Sequence, residues 1–323
     1  MAHSPLAVAP MMDWTDRHCR YFHRLLAPSA VLYTEMVTAA ALVHGDADRL
    51  LAFNAEEHPV VLQVGGSEPE LMREAAKMAE HAGYDAVNIN VGCPSERVQK
   101  GAFGACLMAE PDTVARCWQA MAEAVSIPVT VKSRIGIDDR DDAAFLDAFV
   151  DGVASAGCSH FDIHARIAIL AGLSPKQNRE VPPLVYESVY RQKHRRPELR
   201  VFINGGIVDA GAAAAHLEHV DGVMIGRAAY QDPWSLTAFE QLANADNEPP
   251  ARADVVRKMA DYADRALAQG ASLKHITRHM LGLFNGLPGA RAWRRTLSER
   301  AHLEGAGPEL MLEAFEPLES VAA

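Results

Sequence analysis

The sequence predicts an α/β fold, a (β/α)8 TIM barrel followed by a small C-terminal all-helical domain. Eight short, apolar, β-branched segments recur along the chain, and amphipathic helical segments separate them. The alternation covers about 230 residues, which is the size of an eight-stranded barrel. After Pro249 and Pro250 the pattern becomes helical only. We therefore predict a barrel domain over residues 1–244 and a helical domain over 245–323.

The predicted strands are apolar on both faces, as a parallel sheet covered by helices requires. They span residues 6–12, 31–36, 60–66, 86–94, 129–136, 160–166, 201–207 and 222–228. In the spacers, Ser67 with Glu70 predicts a capping box at a helix start. Gly83 and Gly157 predict helix C-termini. Each helical segment lies between two strands, so the order favours parallel β/α units.

Polar residues at the ends of the strands favour a closed barrel over the alternative, a doubly wound open sheet. In a barrel the carboxyl ends of all strands converge on one mouth, whereas an open sheet spreads them along an edge. The polar residues at these ends are Gln63, Asn90, Cys93, Lys132, Arg134, His164, Asn204 and Arg227.

The net charge of the whole chain argues against a polyanionic partner, but the local charge of two segments does not. Its 31 Lys and Arg and 42 Asp and Glu give a net charge of -11. Residues 176–200, however, contain seven basic and three acidic residues, and residues 273–300 contain six and one. A localised basic surface on an acidic body binds RNA with a salt-dependent affinity. A merely solvated face is the alternative for each segment.

The five cysteines are odd in number and form no close CxxC pair, so neither a disulfide framework nor a metal site is expected. The first residues lack the pattern of a secretory signal, and no stretch approaches the ~18 apolar residues of a membrane span. We therefore expect a cytoplasmic protein without a membrane partner. No obligate protein partner is evident either.

Cys93 follows a strand and a glycine, where a barrel strand opens into a loop. A lone cysteine is more often a small buried hydrophobe, but the segment after this one is polar and rich in glycine. A free thiol has a pKa of about 8.5 and is mostly protonated near neutral pH. Cys93 therefore suits the role of a proton donor.

Lys132 and Arg134 alternate along one strand and point to the same side. Two cations inside a barrel need an anionic or electron-rich partner, unless they are solvated at the strand end. His164 alone is weak evidence for a catalytic residue. It becomes informative because it is expected at the same barrel mouth as Lys132 and Arg134.

Glycines end the last two strands, where barrels frequently bind phosphate. Gly205 and Gly206 offer backbone N–H groups, and Gly226 with Arg227 adds an amide and a guanidinium. These positions predict a phosphate-bearing ligand.

Taken together, seven segments resemble the tRNA-dihydrouridine synthases, flavoenzymes with a barrel and a C-terminal helical domain. They are APMMDWTD, LQVGG, NINVGCP, VKSRIG, HAR, NGGI and IGRA, and the resemblance covers residues 5–302. Residues 172–184 and 279–295 are similar to the A-type subfamily that acts on uridines 20 and 20a of the tRNA D-loop.

The resemblance implies roles for individual residues. The acid is Cys93, with Lys132 and His164 as further catalytic groups. Tightly bound, non-covalent FMN would contact Pro10, Met11, Met12, Gln63, Lys132, His164, Asn204, Gly205, Gly206, Gly226 and Arg227. tRNA would contact Asn90, Arg134, Lys176, Arg179, Arg291, Arg294 and Arg295. One departure is visible, because Ile167 and Ile169 stand where the family often has Lys and Trp.

The implied activity is that of an NAD(P)-dependent oxidoreductase acting on CH–CH groups. NADPH is the electron source, hydride from N5 of FMN adds at C6 of uracil, and Cys93 protonates C5. The alternatives are an FMN-dependent dehydrogenase of a small pyrimidine, a flavin-free aldolase with Lys132 as Schiff-base amine, and a non-catalytic RNA-binding protein.

Overall fold

The computed structural model describes residues 4–319, so residues 1–3 and 320–323 of the two predicted domains lie outside it. Eight parallel strands close into a barrel in sequence order, and the predicted (β/α)8 barrel is confirmed. Strands β1 to β8 are Leu6–Val8, Val31–Thr38, Val60–Gly65, Ala86–Val91, Val129–Arg134, His160–His164, Arg200–Asn204 and Gly222–Ile225.

Eleven of the helices described between residues 4 and 319 belong to the barrel region. In order, α1 to α11 are Arg17–Leu26, Ala39–His44, Ala47–Leu50, Pro69–Ala82, Glu96–Lys100, Pro111–Ala122, Ala143–Ser155, Tyr186–Arg195, Ala210–Leu217, Arg227–Gln231 and Ser235–Ala243. Short 3₁₀ helices span Ala55–Glu57, Gly104–Ala109, Gln177–Arg179 and Glu316–Leu318.

The C-terminal region is helical, as predicted. Helices α12 to α15 are Arg252–Ala268, Leu273–Thr277, Ala290–Arg300 and Glu309–Phe315. Trp293 lies at its centre, fully buried, and its indole N–H donates to the carbonyl of Met280 at 3.0 Å. The predicted domain boundary at 244/245 falls between α11 and α12.

Two details of the sequence prediction differ from the structure. The Ser67–Glu70 capping box is wrong, because α4 begins at Pro69 with Glu68 at the N-cap and no side-chain cap. Proline at the first helical position has its φ preset and needs no partner for an N–H, which explains the later start. The strands are also shorter at several carboxyl ends, since residues 9–12 leave the sheet as a loop.

The barrel interior is apolar at its lower end and polar toward the mouth, which we define as the end where the strands have their C-termini. Apolar side chains from several strands form one buried cluster inside the barrel; it contains Ala7, Ala9, Val31, Tyr33, Val61, Ala86, Phe202 and Met224. The parallel register places Lys132 beside Asp162 and Arg134 beside His164. Alternate residues of a strand point inward, so these four side chains share the interior.

The C-terminal helices pack against α1 of the barrel. Tyr262 of α12 stacks on Tyr21 with ring centroids 4.1 Å apart. Its hydroxyl also lies 2.5 Å from Nδ1 of His18. Asp16, the N-cap of α1, pairs with Arg278 at 2.6 Å and with His279 at 3.0 Å. Among the described residues, no helix is long and apolar enough to cross a membrane.

Candidate active site

Cys93 lies on the loop after β4, and hydrogen bonds fix that loop from both sides. Oδ1 of Asn90 accepts from the backbone N–H of Gly92 at 3.1 Å and of Cys93 at 3.0 Å. The carbonyl of Cys93 accepts from the N–H of Ala105 at 2.9 Å. A side chain at Gly104 would meet that carbonyl at 2.6 Å, so the close approach requires glycine. The half-buried thiol, 3.5 Å from Oγ of Ser95, is thus held at the barrel mouth.

Lys132 extends into the barrel from β5. Its Nζ donates to Oδ1 of Asn204 at 3.1 Å, and the Asn204 amide donates to the carbonyl of Met224 at 2.8 Å. Burial lowers the pKa of Lys132 to about 8, although the carboxylate of Asp162 opposes the shift. The ammonium is therefore the main form at neutral pH, but it is close to losing its proton.

His164 ends β6 and is neutral at physiological pH. Burial holds its pKa well below the ordinary value, and the cations Arg134 and Lys132 add to this effect. The ring lies against Gly205, where an added Cβ would come within 2.8 Å of Cδ2 of His164. A neutral imidazole offers one N–H donor and one acceptor nitrogen.

The loops after β7 and β8 lie beside these groups, with Gly206 exposed, Gly226 half-buried and Gly205 buried. Gly205 and Gly206 have φ values of +117° and +70°, which glycine adopts readily. At Gly226 an added Cβ would have no atom within 3.8 Å, the nearest being Asn204 Nδ2 at 3.9 Å. Arg227 pairs with Glu180 at 3.0 Å and donates to a backbone carbonyl at 3.1 Å. Open space therefore lies beside Gly226, whereas side chains of His164, Leu184 and Tyr186 pack against Gly205 and Gly206.

The remaining predicted cofactor residues lie on β1 and β3. Pro10, Met11 and Met12 form the loop after β1, and the Met12 side chain is 56% exposed. Gln63 is buried inside the barrel, and its Oε1 accepts from the Asn90 amide at 2.8 Å. The structure thus links Gln63 to the Cys93 loop and links Lys132 to Asn204.

Arg134 is almost fully buried and uses its donors on three backbone carbonyls. Nε donates to Gly92 at 3.1 Å, and Nη1 donates to Ile167 at 3.1 Å and to Asn178 at 3.0 Å. The guanidinium thereby joins the loop of Cys93 to the loop after β6. Its predicted contact with tRNA stays a prediction.

The loop after β6 carries the predicted tRNA residues Lys176 and Arg179, both exposed. Asn178 between them is fully buried, and its amide bonds both the N–H and the carbonyl of Ile169 at 2.7 and 2.9 Å. Backbone groups of Ile167 and Ile169 therefore make the hydrogen bonds that hold this loop.

The two basic segments differ in how their charges are paired. Three of the seven cations of residues 176–200 lie on or next to α8 and pair with acids of α7: Arg191 and Arg195 with Asp147, and Arg196 with Asp151. The net count of this segment is therefore a poor measure of its attraction for RNA. Lys193 is likewise paired, with Asp221 at 2.8 Å.

In the second segment, Arg291, Arg294 and Arg295 are exposed on one face of α14, opposite the buried Trp293. Their spacing of three and four residues brings them together. Arg294 donates to Oδ1 of Asn285 at 3.1 Å. Within residues 4–319, Arg291 and Arg295 make no ion pair, so this face retains its charge.

Sequence reasoning missed Arg166 at the mouth and Asp162 deeper inside the barrel. Both alternate with His164 along the HFDIHAR segment, and this spacing of two was the signal that would have found them. Asp162 lies inside the barrel with no exposed surface. Arg166 donates to the carbonyl of Pro182, and its charge adds to the lowering of the pKa of His164. Among the described residues, no group of three His, Cys, Asp or Glu side chains could hold a metal ion.

Comparisons with known proteins identify the family of the chain. A family model described as Dihydrouridine synthase (Dus) matches residues 7–318. A tRNA-dihydrouridine(20/20a) synthase of Xanthomonas axonopodis pv. citri (strain 306) is 57% identical over 311 residues, which are 96% of this chain and 93% of that protein.

Two further relatives carry the same description. The protein of Vibrio parahaemolyticus serotype O3:K6 (strain RIMD 2210633) is 56% identical over 318 residues, covering 98% of this chain and 97% of its own. That of Shewanella oneidensis (strain ATCC 700550 / JCM 31522 / CIP 106686 / LMG 19005 / NCIMB 14063 / MR-1) is 55% identical over 315 residues, 97% and 94% of the two chains. With similarity of this degree over nearly the full length, the chain belongs to the dihydrouridine synthase family.

Proposed function

We propose that this protein is an FMN-dependent tRNA-dihydrouridine(20/20a) synthase, which reduces the C5=C6 bond of a D-loop uridine with NADPH as electron source. Dihydrouridine synthases are flavin-dependent. The observation that carries the proposal is the position of Cys93 on a fixed loop at the same barrel mouth as Lys132 and His164. A proton donor beside a cation and a neutral imidazole suits reduction of a conjugated carbonyl system.

The residues at the mouth fit FMN. Lys132, Arg134, Arg166 and Arg227 all act to lower the pKa of His164, so positive charge is in excess there. A dianionic phosphate would offset that excess, and the N–H groups of Gly205, Gly206 and Gly226 suit its oxygens. Pro10, Met11, Met12, Gln63 and Asn204 would complete the site around the ring. When bound, FMN supplies the hydride that C6 of uracil receives.

Each catalytic side chain then has a separate task. The Cys93 thiol donates its proton to C5 of the uracil, and the resulting thiolate regains a proton from solvent. The ammonium of Lys132, which Asn204 orients, stabilises the negative charge that develops in the site. Neutral His164 donates one N–H to a carbonyl oxygen. Asn90, whose side-chain oxygen accepts hydrogen bonds from the Cys93 loop, contacts the target nucleotide.

The surface beyond the mouth suits tRNA. Lys176 and Arg179 on the loop after β6, and the arginine face of α14, are the exposed cations we assign to phosphate contacts. The acidic remainder of the surface would repel RNA elsewhere. A target uridine must leave its stack to enter the mouth, at a cost of a few kcal/mol that a loop nucleotide partly avoids.

Two experiments test the proposal. The purified protein should absorb near 450 nm, and a colourless preparation that FMN cannot reconstitute contradicts the flavin assignment. Mapping of dihydrouridine in tRNA from a deletion strain should show loss at positions 20 and 20a, restored by the wild-type gene. Reduction of free uracil or uridine at the rate found for tRNA would instead favour a dehydrogenase of small pyrimidines.

A further inference from the structure

A buried carboxylate lies at the centre of the barrel, and the chemistry above does not use it. Asp162 of β6 has no exposed surface. Its Oδ2 accepts from the hydroxyl of Tyr33 at 3.0 Å and from the amide of Asn88 at 3.2 Å. Its Oδ1 lies 3.1 Å from Nε2 of His160. A carboxylate so far from water needs this many donors, because an unsatisfied buried charge is costly.

Asp162 is the last acceptor of a hydrogen-bond chain that begins at Cys93. Oδ1 of Asn90 binds the Cys93 loop, and the Asn90 amide nitrogen donates to Oε1 of Gln63 at 2.8 Å. Gln63 in turn donates to Oδ1 of Asn88 at 2.8 Å. Asn88 then donates to Asp162 at 3.2 Å and to Thr130 at 2.8 Å. The chain passes from β4 to β3, back to β4 and on to β6.

The chain can run in only one direction. Backbone N–H groups donate and cannot accept, so Oδ1 of Asn90 must face the Cys93 loop and its nitrogen must face Gln63. Gln63 must then present its oxygen to Asn90 and its nitrogen to Asn88. The same reasoning turns the nitrogen of Asn88 toward Asp162. Hydrogen bonds aligned head to tail strengthen one another in a low-dielectric interior.

We propose that Asp162 is a positioning residue whose carboxylate ends this one-directional chain and thereby fixes Asn90 and the loop that carries Cys93. A carboxylate is suited to this place because it can only accept, and it accepts from Tyr33 as well as from Asn88. Register also places it beside Lys132, where its negative charge favours the ammonium. One buried group therefore supports the proton donor and the cation of the site.

The test uses matched variants, and its enzymatic arm rests on the proposed function. Asp162→Asn keeps an oxygen that accepts from Asn88 and Tyr33. Its amide nitrogen faces Nε2 of His160, which accepts a hydrogen bond when the ring proton is on Nδ1. Asp162→Leu keeps the branching of the side chain, at a larger volume, and removes the acceptor. Asn88→Ala breaks the chain in the middle, as a second route should the leucine variant fail to fold. Thr130→Val is the control, because it removes the second acceptor of the Asn88 amide, which is buried as well but lies outside the chain to Asp162.

Three quantities are measured on FMN-loaded protein: the rate of flavin reduction by NADPH, the single-turnover rate of uridine reduction in tRNA, and the rate of Cys93 alkylation by iodoacetamide, followed by peptide mass. In Asp162→Leu and Asn88→Ala, uridine reduction should fall about tenfold or more, as loss of a buried hydrogen bond predicts. Cys93 alkylation should rise at least about threefold as the loop opens. In Asn88→Ala flavin reduction should change less than about twofold, and Thr130→Val should stay near wild type in all three rates. Asp162→Asn should keep Cys93 alkylation near wild type, although loss of the charge beside Lys132 should slow uridine reduction.

The proposal is overturned by an equal rise of Cys93 alkylation in Asp162→Asn and Asp162→Leu, or by an effect of Thr130→Val as large as that of Asn88→Ala. Flavin reduction that slows as much as uridine reduction in Asn88→Ala also overturns it. Unchanged Cys93 alkylation in a folded Asn88→Ala variant overturns it as well. Alkylation needs neither NADPH nor tRNA. A wild-type enzyme that fails to reduce tRNA therefore counts against the proposed function, while the alkylation rates still decide the role of Asp162.

Discussion

The Nζ of Lys132 donates a hydrogen bond to Oδ1 of Asn204, 3.1 Å away, and Asn204 is itself held by the carbonyl of Met224. Three strands, β5, β7 and β8, therefore fix the direction of one ammonium group. Because the backbone carbonyl can only accept, it turns the amide nitrogen of Asn204 toward itself and the amide oxygen toward Lys132. The ammonium is oriented before any ligand arrives, which is the arrangement that stabilises developing charge best.

We expect uridine reduction to decline as the pH rises through about 8. Burial lowers the pKa of Lys132 to about 8, so the ammonium is present below that pH and is lost above it. The measurement is the single-turnover rate between pH 6 and 10. In Lys132→Arg the charge persists to higher pH, and the declining limb should move upward or disappear. An unmoved limb would assign the titration to another group.

We expect Cys93→Ala to retain FMN and tRNA affinity but to lose uridine reduction by about 10²-fold or more, the usual contribution of a general acid. Cys106→Ala is the matched control. Cys106 is also half-buried, but its thiol donates to the carbonyl of Phe103. Rates are compared in single turnovers with pre-reduced enzyme. Equal rates in Cys93→Ala and wild type would remove Cys93 from the acid role.

The fold followed from the sequence because its strongest signals are local. Apolar runs, helix periods and strand-end polar residues such as Lys132 and His164 all depend on short spacings, and a closed barrel brings their ends together by geometry alone. The predicted start of α4 was wrong, because Ser67 and Glu70 fit a capping box that Pro69 at the first helical position displaces.

The partners of individual side chains required the structure. Arg191 and Arg196 are paired with acids about 45 residues away, so a charge count along the chain overstated that segment. Asp162 is a single acid in an apolar strand, and nothing in the sequence says that Tyr33 and Asn88 donate to it. Ion pairs and hydrogen bonds between residues distant in sequence depend on the fold and cannot be read from composition.

We expect Asp16 to stabilise the contact between the barrel and the C-terminal helices above about pH 4. Burial alone would raise the pKa of Asp16, but hydrogen bonds from His279, Cys19 and Arg278 outweigh it and hold the pKa well below its usual value. A carboxyl with a lowered pKa stabilises the fold above its unfolded pKa of about 3.9 and loses this effect as the pH falls.

The change that tests this is Asp16→Asn, which keeps an N-cap side chain and removes the charge. Urea unfolding at pH 7 should show a loss of about 1–3 kcal/mol relative to wild type, since the carboxylate is partly buried. The difference should shrink below about pH 4. A difference that is constant between pH 7 and pH 3 would show that geometry rather than charge is responsible.

We expect the double variant Arg291→Ala and Arg294→Ala to weaken tRNA binding while flavin reduction by NADPH stays intact. Each phosphate contact contributes about one unit to the slope of log affinity against log salt concentration, so the slope should fall by about two.

Arg300→Ala is the control on the same helix, because Arg300 is exposed but paired with Glu313 at 2.5 Å. An unpaired arginine can release the counterions of a phosphate without first breaking an ion pair, whereas Arg300 must leave Glu313 to do so. Equal effects of the two changes, or an unaltered salt slope in the double variant, would mean that α14 is not the docking surface for tRNA.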